Sequence, residues 1–566
     1  MSGADRLPDG FAVRLDRRAR RLDGGAALLG LSPGRLLHLA PAARRLLGAG
    51  GDLVVRGDTG ARLARRLLDA GVAHPVTTGG LSGPSESEVT VVVPVRDRPD
   101  GLDRLLSALA DTAPELAEVI VVDDGSADPH AHRRVVAGSR LGSRLRLVRH
   151  PTPRGPAAAR NTGLTAAGTG LVAFLDSDVV PQQGWLAPLR AHLADPAAVL
   201  TAPRIVGLPG AGASWLDRYE GLRSSLDLGP DPGPIVPRTR VAYVPSAALL
   251  VRRAALGAGF DEGMRVAEDV DLVLRLHAAG CRLRYEPAAL VAHEHRVRPA
   301  DWWSRKVFYG TGAAPLALRH PGSVPPIVLA PWAVAVCLLV GAQRRSGVLG
   351  AAAVTVLAWW RVRRTLAPKP AALAPKPAAE GPKPAAEGPK PAAEGPKPTA
   401  EGPKPTAEGP KPAGEGPTPP AEGRVSGSGT PSARLRQPGR VAALLVGLGL
   451  VSAADQAAGL LVRHWWPAAA VGALLSRRVR RAVLVASVGE GLADWYRHRP
   501  RAGRPGLDPG RYLLVHRADD LGYGVGLWWG AYRGRTLAPL CPEVTGLRAW
   551  LARRCRRSSQ WSRSAR

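Results

Sequence analysis

The stretch Leu171-Val172-Ala173-Phe174-Leu175-Asp176-Ser177-Asp178 joins a short apolar run to two carboxylates at its end. A bounded apolar run of this length predicts a buried strand. In parallel α/β sheets, ligands bind just beyond the carboxyl ends of the strands. Asp176 and Asp178 are therefore placed to hold Mg²⁺ or Mn²⁺, ions that commonly bridge to substrate phosphates. The alternative is an Asp-rich turn without a ligand.

Composition narrows the class of protein. A chain of 566 residues should hold two or more domains. The four cysteines show no C-x-x-C spacing, which argues against a zinc site and favours a reduced compartment. The net charge is +30, but the arginines are scattered and no helix-turn-helix, finger or RRM motif accompanies them. We expect no nucleic-acid partner; such charge also suits anionic membranes and nucleotide phosphates.

Residues 5–78 predict a small first domain of strands and short helices. Residues 11–15 alternate like a strand, 35–39 predict a short helix, and the amphipathic segment 61–70 predicts another. This winged-helix-like pattern resembles the PqqD-like peptide-recognition modules of ribosomal-peptide maturation systems. A plain capping subdomain is the alternative. Residues 79–88, rich in Gly and Ser, are predicted to be a linker.

From Val89 onward, apolar strands alternate with helical segments. Alternation of this kind predicts an α/β domain whose sheet is mixed but mostly parallel. No G-x-x-x-x-G-K-[ST] or G-x-G-x-x-G motif follows a strand, which excludes the P-loop and Rossmann fingerprints. The predicted strands are 89–94, 119–122, 145–149 and 171–175, and the clearest helices are 102–109 and 156–167.

Five motifs follow one another between residues 91 and 272: V-V-V-P-V-R-D, V-V-D-D-G-S, R-G-P-A-A-A-R-N, F-L-D-S-D and A-E-D-V-D-L. Their order and spacing resemble the family-2 glycosyltransferases, which have the GT-A nucleotide-sugar fold. We assign residues 89–315 to this domain. The resemblance implies a metal-dependent enzyme that takes a UDP-sugar as donor.

The resemblance also assigns the donor contacts. Pro94, Arg96 and Asp97 would lie along the nucleoside, although the family often has Tyr-Asn after the proline. Either Asp123 or Asp124 would accept a hydrogen bond from the uracil ring or the ribose. The other donor-side candidates are Arg154, Arg160, Asn161 and Asp176, of which the two arginines would bind the diphosphate or, alternatively, hold carboxylates of the protein.

Metal binding is expected at Asp176, Asp178 and His293, by resemblance to enzymes in which a histidine adds a metal or phosphate contact. A bound Mn²⁺ or Mg²⁺ would neutralise the leaving UDP as a Lewis acid. A surface histidine is the alternative reading of His293, which follows the short apolar run 289–291.

The acceptor hydroxyl needs a base, and the pair Glu268-Asp269 precedes an apolar helical segment. We predict Asp269 as general base with Glu268 or Asp271 in support, in a single displacement that inverts the sugar configuration. Two acids at a helix start also stabilise the helix dipole, which is the structural alternative.

The second half of the chain differs in character. Residues 325–364 hold two apolar runs flanked by arginines and predict a membrane-associated hairpin. Residues 365–438 carry the period-seven unit G-P-K-P-[AT]-A-E and predict a disordered, extended linker. Residues 439–550 predict a helical, membrane-proximal region, and residues 551–566 a basic tail.

With the peptide-reader-like start, the five motifs and the patterned segment 519–535, the whole chain resembles the mycofactocin-system glycosyltransferases. That family implies transfer of glucose from UDP-glucose to the peptide-derived redox cofactor mycofactocin or its precursor. It also implies a β-linked oligoglucan product. The expected location is the cytoplasmic face of the cell membrane. One alternative is a membrane glycosyltransferase of lipid or cell-wall glycan synthesis, and another is a scaffold that binds a precursor peptide through residues 1–80.

Overall fold

The computed structural model describes residues 5–32, 34–48, 50–77, 83–208, 214–367, 435–499 and 506–545. The N-terminal unit combines small antiparallel sheets with two helices. Its elements are β1 (Ala12–Leu15), β2 (Arg20–Leu22), β3 (Ala27–Leu31), β4 (Gly34–His38), α1 (Pro41–Leu46), β5 (Asp52–Val54), α2 (Gly57–Asp69) and β6 (Ala73–Pro75). One sheet has the order β5-β1-β6 and the other β2-β3-β4.

The expected helix at residues 35–39 is a strand, so that prediction was wrong. β4 pairs antiparallel with β3, and Leu28 lies opposite Leu37. A five-residue helix satisfies few of its own backbone groups, whereas a partner strand satisfies them along its length. The amphipathic segment is helical, as α2, and buries Leu67 and Leu68 in the core of the unit. The winged-helix-like assignment of residues 5–78 stays a prediction.

A central nine-stranded sheet follows within the described part of the chain. Residues 79–82 of the predicted linker 79–88 lie outside the described residues, and residues 83–88 include the helical turn Glu86–Glu88, capped by Ser85. The elements of this domain are β7 (Val89–Val95), α3 (Pro99–Thr112), β8 (Glu118–Asp123), α4 (Pro129–Gly138), β9 (Leu145–Arg149), α5 (Pro156–Ala166), β10 (Leu171–Leu175), β11 (Val179–Pro181), α6 (Leu186–His192), β12 (Ala198–Gly207), α7 (Trp215–Leu222), β13 (Gly233–Pro234), β14 (Ala248–Arg252), α8 (Glu268–Ala278) and β15 (Arg282–His293).

The strand order is β11-β15-β12-β14-β10-β7-β8-β9, and β13 pairs with β15. The segment β10-β7-β8-β9 is parallel, as the alternation of strands and helices predicted. Beyond it, β14 runs antiparallel to both β10 and β12, so parallel pairs do not predominate in the whole sheet. The chain runs outward from β7 to β8 and β9 and then crosses to β10 on the other side of β7. Asp123 ends β8 and Asp176 follows β10, so both lie at the carboxyl edge of the sheet beside a topological switch point.

Both faces of the parallel segment are covered, which explains its continuous apolar runs. Successive side chains of a strand point to opposite faces. Val91 and Val93 accordingly pack into one core with Leu102 of α3, while Val92 packs into the other with Leu272 of α8. The sheet is held from both sides, and the polar residues at its strand ends are fixed with it.

The C-terminal part is helical. Residues 325–364 contain two helices, and the ends of the predicted linker 365–438 belong to α12 and α13; its repeat lies outside the described residues. The elements are α9 (Pro299–Thr311), α10 (Ala313–Arg319), β16 (Val328–Leu329), α11 (Pro331–Gly341), α12 (Arg345–Leu366), α13 (Pro438–Gly459), α14 (Trp466–Leu475), α15 (Arg477–His498), α16 (Pro509–Arg533) and β17 (Glu543–Val544). Among the helices described, Pro438–His464 is long and apolar enough to cross a membrane.

Candidate active site

Arg160 links the end of β10 to the start of α8. Its Nη2 donates to Asp176 Oδ1 at 2.7 Å and its Nη1 to Glu268 Oε1 at 3.0 Å. The guanidinium is buried and lies 5.3 Å from the centre of the Phe260 ring. Three residues predicted from separate motifs thus meet. Arg160 holds carboxylates of the protein, which is the alternative considered for it.

Asp178 lies beside His293 because β11 pairs antiparallel with β15, with Val179 opposite His293. His293 Nε2 is 3.4 Å from Asp178 Oδ1, and Arg98 Nη1 donates to Asp178 Oδ2 at 3.3 Å. The other ring nitrogen of His293, Nδ1, is buried without a partner among the described residues. The histidine is therefore part of the strand-end cluster and not a freely exposed side chain.

These groups fit a divalent cation. Two carboxylates and an imidazole are donors that Mn²⁺ accepts, and Mg²⁺ binds through the carboxylates. Burial raises the pKa of Asp176, and the neighbouring Asp178 charge adds to the increase although Arg160 opposes it. A cation between the two carboxylates would offset their repulsion. Asp176, Asp178 and His293 are the residues that would hold it.

Asp269 is the first-turn acid that remains available for chemistry. Its Oδ2 accepts a hydrogen bond from Ser246 N at 3.2 Å, and its Oδ1 accepts one from Val270 N at 2.8 Å. Loss of solvent contact, followed by the charge of Glu268, raises its pKa to about 6. A carboxylate with a pKa near neutrality suits a general base.

The backbone just before this pair is strained. Ala267 has φ of 63°, in the left-handed region that non-glycine residues seldom adopt. Such a conformation persists only where its surroundings hold it in place, and it is common near functional residues. The left-handed turn at Ala267 sets the direction of the chain at the start of α8, where Glu268 and Asp269 lie.

The predicted nucleoside contacts lie around β7. Pro94 is buried within the strand, opposite Val122 of β8, and Arg96 is largely exposed. Asp97 also has a left-handed φ, of 53°. Its Oδ1 accepts from Ala127 N at 2.7 Å and its own N–H donates to Ser126 Oγ at 2.9 Å. Asp97 therefore joins the loops that follow β7 and β8.

Asp123 and Asp124 are both engaged by the protein. Burial alone would raise the pKa of Asp123, but hydrogen bonds from Ser126 and Arg149 lower it below its usual range. Asp124 Oδ1 accepts from Arg154 N, and its Oδ2 from Gly155 N, each at 2.8 Å. The two carboxylates thus shape the loops at the switch point. Which of them contacts the base stays a prediction.

Two other donor-side candidates serve a loop. Arg154 Nη2 donates to Glu262 Oε2 at 2.9 Å. Asn161 Nδ2 donates to Phe260 O at 2.8 Å, and Asn161 Oδ1 accepts from Phe260 N at 2.8 Å. Both side chains therefore hold the segment 260–262 against α5. This segment carries the ring that lies beside the Arg160 guanidinium.

Sequence reasoning missed three arginines near the strand-end carboxylates. Arg98 contacts Asp178, as described above. Arg305 Nε donates to Tyr309 Oη at 3.1 Å. Burial works against the charged form of Arg305, but Tyr309, Asp176 and Asp178 favour it more strongly, so the pKa of Arg305 is raised. Burial and the positive charge of Arg305 lower the pKa of Arg296. The basic residues after His293 were the signal for Arg296 and Arg305, and the pair Arg96 and Arg98 directly after β7 was the signal for Arg98.

In the described part of the chain, the group of three residues whose ligand atoms all lie within 4.8 Å of one another is Glu490, His516 and Asp520. Arg517 pairs with both carboxylates, at 2.9 Å from Asp520, and Arg463 Nε donates to Asp520 at 2.7 Å. The guanidinium groups already neutralise this cluster, which is an ion-pair network between helices.

Comparisons with known proteins identify the family of the chain. Residues 90–256 match the model of glycosyl transferase family 2. The pre-mycofactocin glycosyltransferase of Mycobacterium tuberculosis (strain H37Rv) is 43% identical over 548 residues, covering 96% of this chain and 99% of its own. The succinoglycan biosynthesis protein ExoU of Rhizobium meliloti is 32% identical over 220 residues, covering 36% of this chain and 61% of its own.

Among solved structures, a mannosyltransferase of Pyrobaculum calidifontis in complex with GDP-Man and Mn²⁺ overlaps 48% of this chain and 74% of its own, with 21% identity and a TM-score of 0.32. A similarity at this level adds no evidence on donor or metal.

The chain is a glycosyltransferase of family 2, since its sequence matches the family model and its sheet is GT-A-like with acids at the switch point. It is therefore an enzyme that transfers hexosyl units. The N-terminal unit and the C-terminal helices lie outside that match, and both are covered by the mycobacterial relative. The chain belongs to the family of the pre-mycofactocin glycosyltransferases.

Proposed function

We propose that the enzyme transfers glucose from UDP-glucose to mycofactocin or its precursor and builds a β-linked oligoglucan. The name of the 43% identical relative supports the acceptor. The observation that carries the proposal is the chain of contacts from Asp176 through Arg160 to Glu268, beside Asp269. It holds the donor-side carboxylate and the candidate base on one rigid frame.

Donor binding uses the ends of β7, β8 and β10. Asp97 orders the loops along the nucleoside, and Asp123 or Asp124 accepts a hydrogen bond from the base or ribose. Arg98 and Arg305 lie where the diphosphate charge would be, because both interact with the carboxylates that follow β10. A divalent cation held by Asp176, Asp178 and His293 would supply Lewis-acid stabilisation of the leaving UDP.

Transfer is a single displacement. The acceptor oxygen attacks the anomeric carbon, the bond from that carbon to the UDP oxygen breaks, and its electron pair leaves with UDP. Asp269 takes the acceptor proton on a carboxylate oxygen. Attack opposite the leaving group turns the α-linked donor into a β-linked product, and no covalent sugar–enzyme intermediate forms.

We place the reaction at the cytoplasmic face of the cell membrane. The turns α11–α12 and α14–α15 lie side by side, since Gln343 Nε2 donates to Arg478 O at 2.7 Å. The leucines next to these turns are strongly exposed, Leu349 at 72% and Leu474 at 82%. Exposed apolar side chains next to arginines are typical of a surface that binds an anionic bilayer. The arginines at the two turns are Arg344, Arg345, Arg477, Arg478, Arg480 and Arg481.

The membrane location is tested by flotation with vesicles. Wild-type protein should float with phosphatidylglycerol vesicles and much less with phosphatidylcholine vesicles. The variant Leu474→Asp should lose flotation, because a charge is costly in the apolar region of the bilayer. Leu318→Asp, an exposed leucine on α10, is the matched control. Equal flotation of the two variants would contradict the assignment of this surface.

The function is tested by mass spectrometry. Purified enzyme, Mn²⁺ or Mg²⁺, UDP-glucose and deglycosylated mycofactocin precursor should give a ladder of hexose additions. EDTA should abolish the ladder because it removes the cation. Asp178→Ala should abolish it because the cation would lose a carboxylate ligand. Hydrolysis of UDP-glucose without a ladder would support UDP-glucose as the donor and refute the mycofactocin precursor as the acceptor. Transfer to a lipid extract instead would support glycan synthesis at the membrane.

A further inference from the structure

The last turn of α9 brings the C-terminal helix α16 to the candidate base. A Cβ at Gly310 would overlap the carbonyl oxygen of Tyr523, so only glycine permits this approach of α16. A Cβ at Gly312, two residues further on, would lie 3.0 Å from the Cβ of Ala267. Tyr523 and the strained start of α8 thus lie against the same turn of α9.

α16 is also locked in place by buried charges. Lys306 Nζ on α9 lies 3.0 Å from Glu220 on α7 and 3.3 Å from Asp519 on α16. All three residues are buried. Buried ion pairs of this kind tolerate little displacement, because a lost partner leaves a charge without compensation. The helix therefore presents Tyr523 at a fixed position.

Tyr243 and Arg463 are two more polar residues connected to these elements. Tyr243 is 41% exposed, and Ser246, three residues later, contacts the Asp269 carboxylate. Arg463 Nε donates to Asp520 on α16 at 2.7 Å, and its guanidinium carbon lies 5.6 Å from the centre of the Tyr523 ring.

Among the described residues, the hydroxyls of Tyr243 and Tyr523 have no hydrogen-bond partner. The packing places these groups in one region: Arg463 lies on the Tyr523 ring, Tyr523 and Ala267 both lie against the end of α9, and the segment with Tyr243 binds Asp269 through Ser246 N. The surrounding protein raises the pKa of Tyr243 although 41% of the residue is exposed, and Tyr523 and then Asp269 add to the increase while Arg463 opposes it. Hydroxyls left unpaired at a cleft are available to a ligand.

We propose that Tyr243, Arg463 and Tyr523 form the acceptor subsite, so that the C-terminal helices are part of the active site. The subsite takes a hydroxylated ring, in particular a glucose unit of the growing chain. The phenol rings offer apolar faces to the sugar, and the hydroxyls and guanidinium offer hydrogen bonds to its oxygens. This inference rests on the proposed function and deepens it.

The experiment separates acceptor binding from donor chemistry. Tyr243→Phe and Tyr523→Phe keep the rings and remove the hydroxyls; Tyr532→Phe, on the exposed side of α16, is the control. We expect the KM for the acceptor to rise about tenfold in each test variant, as for one lost hydrogen bond of good strength. The KM for UDP-glucose and its hydrolysis without acceptor should not change. Unchanged acceptor KM in both variants would overturn the subsite.

A binding measurement keeps the subsite testable if the mycofactocin precursor is not the acceptor. UDP-loaded wild type and variants are titrated calorimetrically with cellotetraose, a β-linked glucose tetramer. Binding by wild type that weakens about tenfold in Tyr523→Phe supports the subsite even when the precursor is not glycosylated. Absent binding, or equal binding by all variants, refutes it. Near-ultraviolet circular dichroism checks that each variant is folded.

Discussion

Asp269→Asn should separate the activity of this enzyme from its stability. Asparagine has the same shape as aspartate but cannot take a proton from the acceptor hydroxyl. Loss of a general base lowers the rate of transfer by about 10²–10⁴-fold. Donor binding should persist, because the nucleoside and diphosphate residues are elsewhere in the cleft. We therefore expect kcat to fall while the KM for UDP-glucose stays near its wild-type value.

The pKa of Asp269 sets the second part of this prediction. Folding raises this pKa from its ordinary value of 3.8 to about 6. The folded state therefore binds the proton more tightly than the unfolded state, and ionisation above pH 6 works against folding. A full shift of this size corresponds to about 3 kcal/mol. Solvent screening of the half-buried Asp269 and the weakening of one amide hydrogen bond in the variant reduce this energy. The free energy of unfolding of Asp269→Asn should therefore exceed that of wild type by about 1–2 kcal/mol near pH 8.

The assays are initial rates of hexose transfer from about pH 5 to 8 and urea unfolding near pH 8. In wild type, the rate should fall about tenfold for each pH unit below about 6, because only the ionised carboxylate acts as a base. Asp111→Asn, an exposed acid paired with Arg140, should change neither property. Transfer by Asp269→Asn within about tenfold of wild type would refute the assignment of the base.

Three further outcomes are expected. Arg160→Ala should lower the free energy of unfolding, measured by urea unfolding, by about 3–5 kcal/mol because two partly buried carboxylates lose their partner. Arg140→Ala, which removes an exposed ion pair, should lower it by less than about 1 kcal/mol. Arg65→Ala, which removes a buried bidentate pair at 2.6 Å to the glycosyltransferase domain, should destabilise the protein far more than the exposed Arg14→Ala, in the same assay. Excision of residues 368–434 should leave the rate of transfer within about twofold of wild type, because the length of a chain between fixed ends has a weak effect and both flanking segments belong to one apolar cluster. Loss of transfer in the shortened protein would contradict this.

Local pattern alone located most of the catalytic domain. The strand at 171–175 lies where its apolar run predicted, because a strand buried on both faces must be apolar throughout. The strand at 145–149 also has the predicted bounds, although it is only partly buried at the edge of the sheet. Asp176 and Asp178 were found for the same reason as the strand before them, since a charge next to an apolar run marks its end. Residues 35–39 show the limit of this reasoning. Their short pattern suits helix or strand equally, and pairing with β3 decided it.

The contacts that make a site were beyond the sequence pattern. Arg160 was placed at the site, but its simultaneous pairing with Asp176 and Glu268 depends on how α5 and α8 pack on the sheet. The backbone of Tyr523 packs against α9 only because Gly310 has no side chain, and Gly312, just after α9, packs in turn against Ala267 at the start of α8. Periodicity reports which face of one element is buried, whereas these contacts are set by the packing of elements distant in sequence.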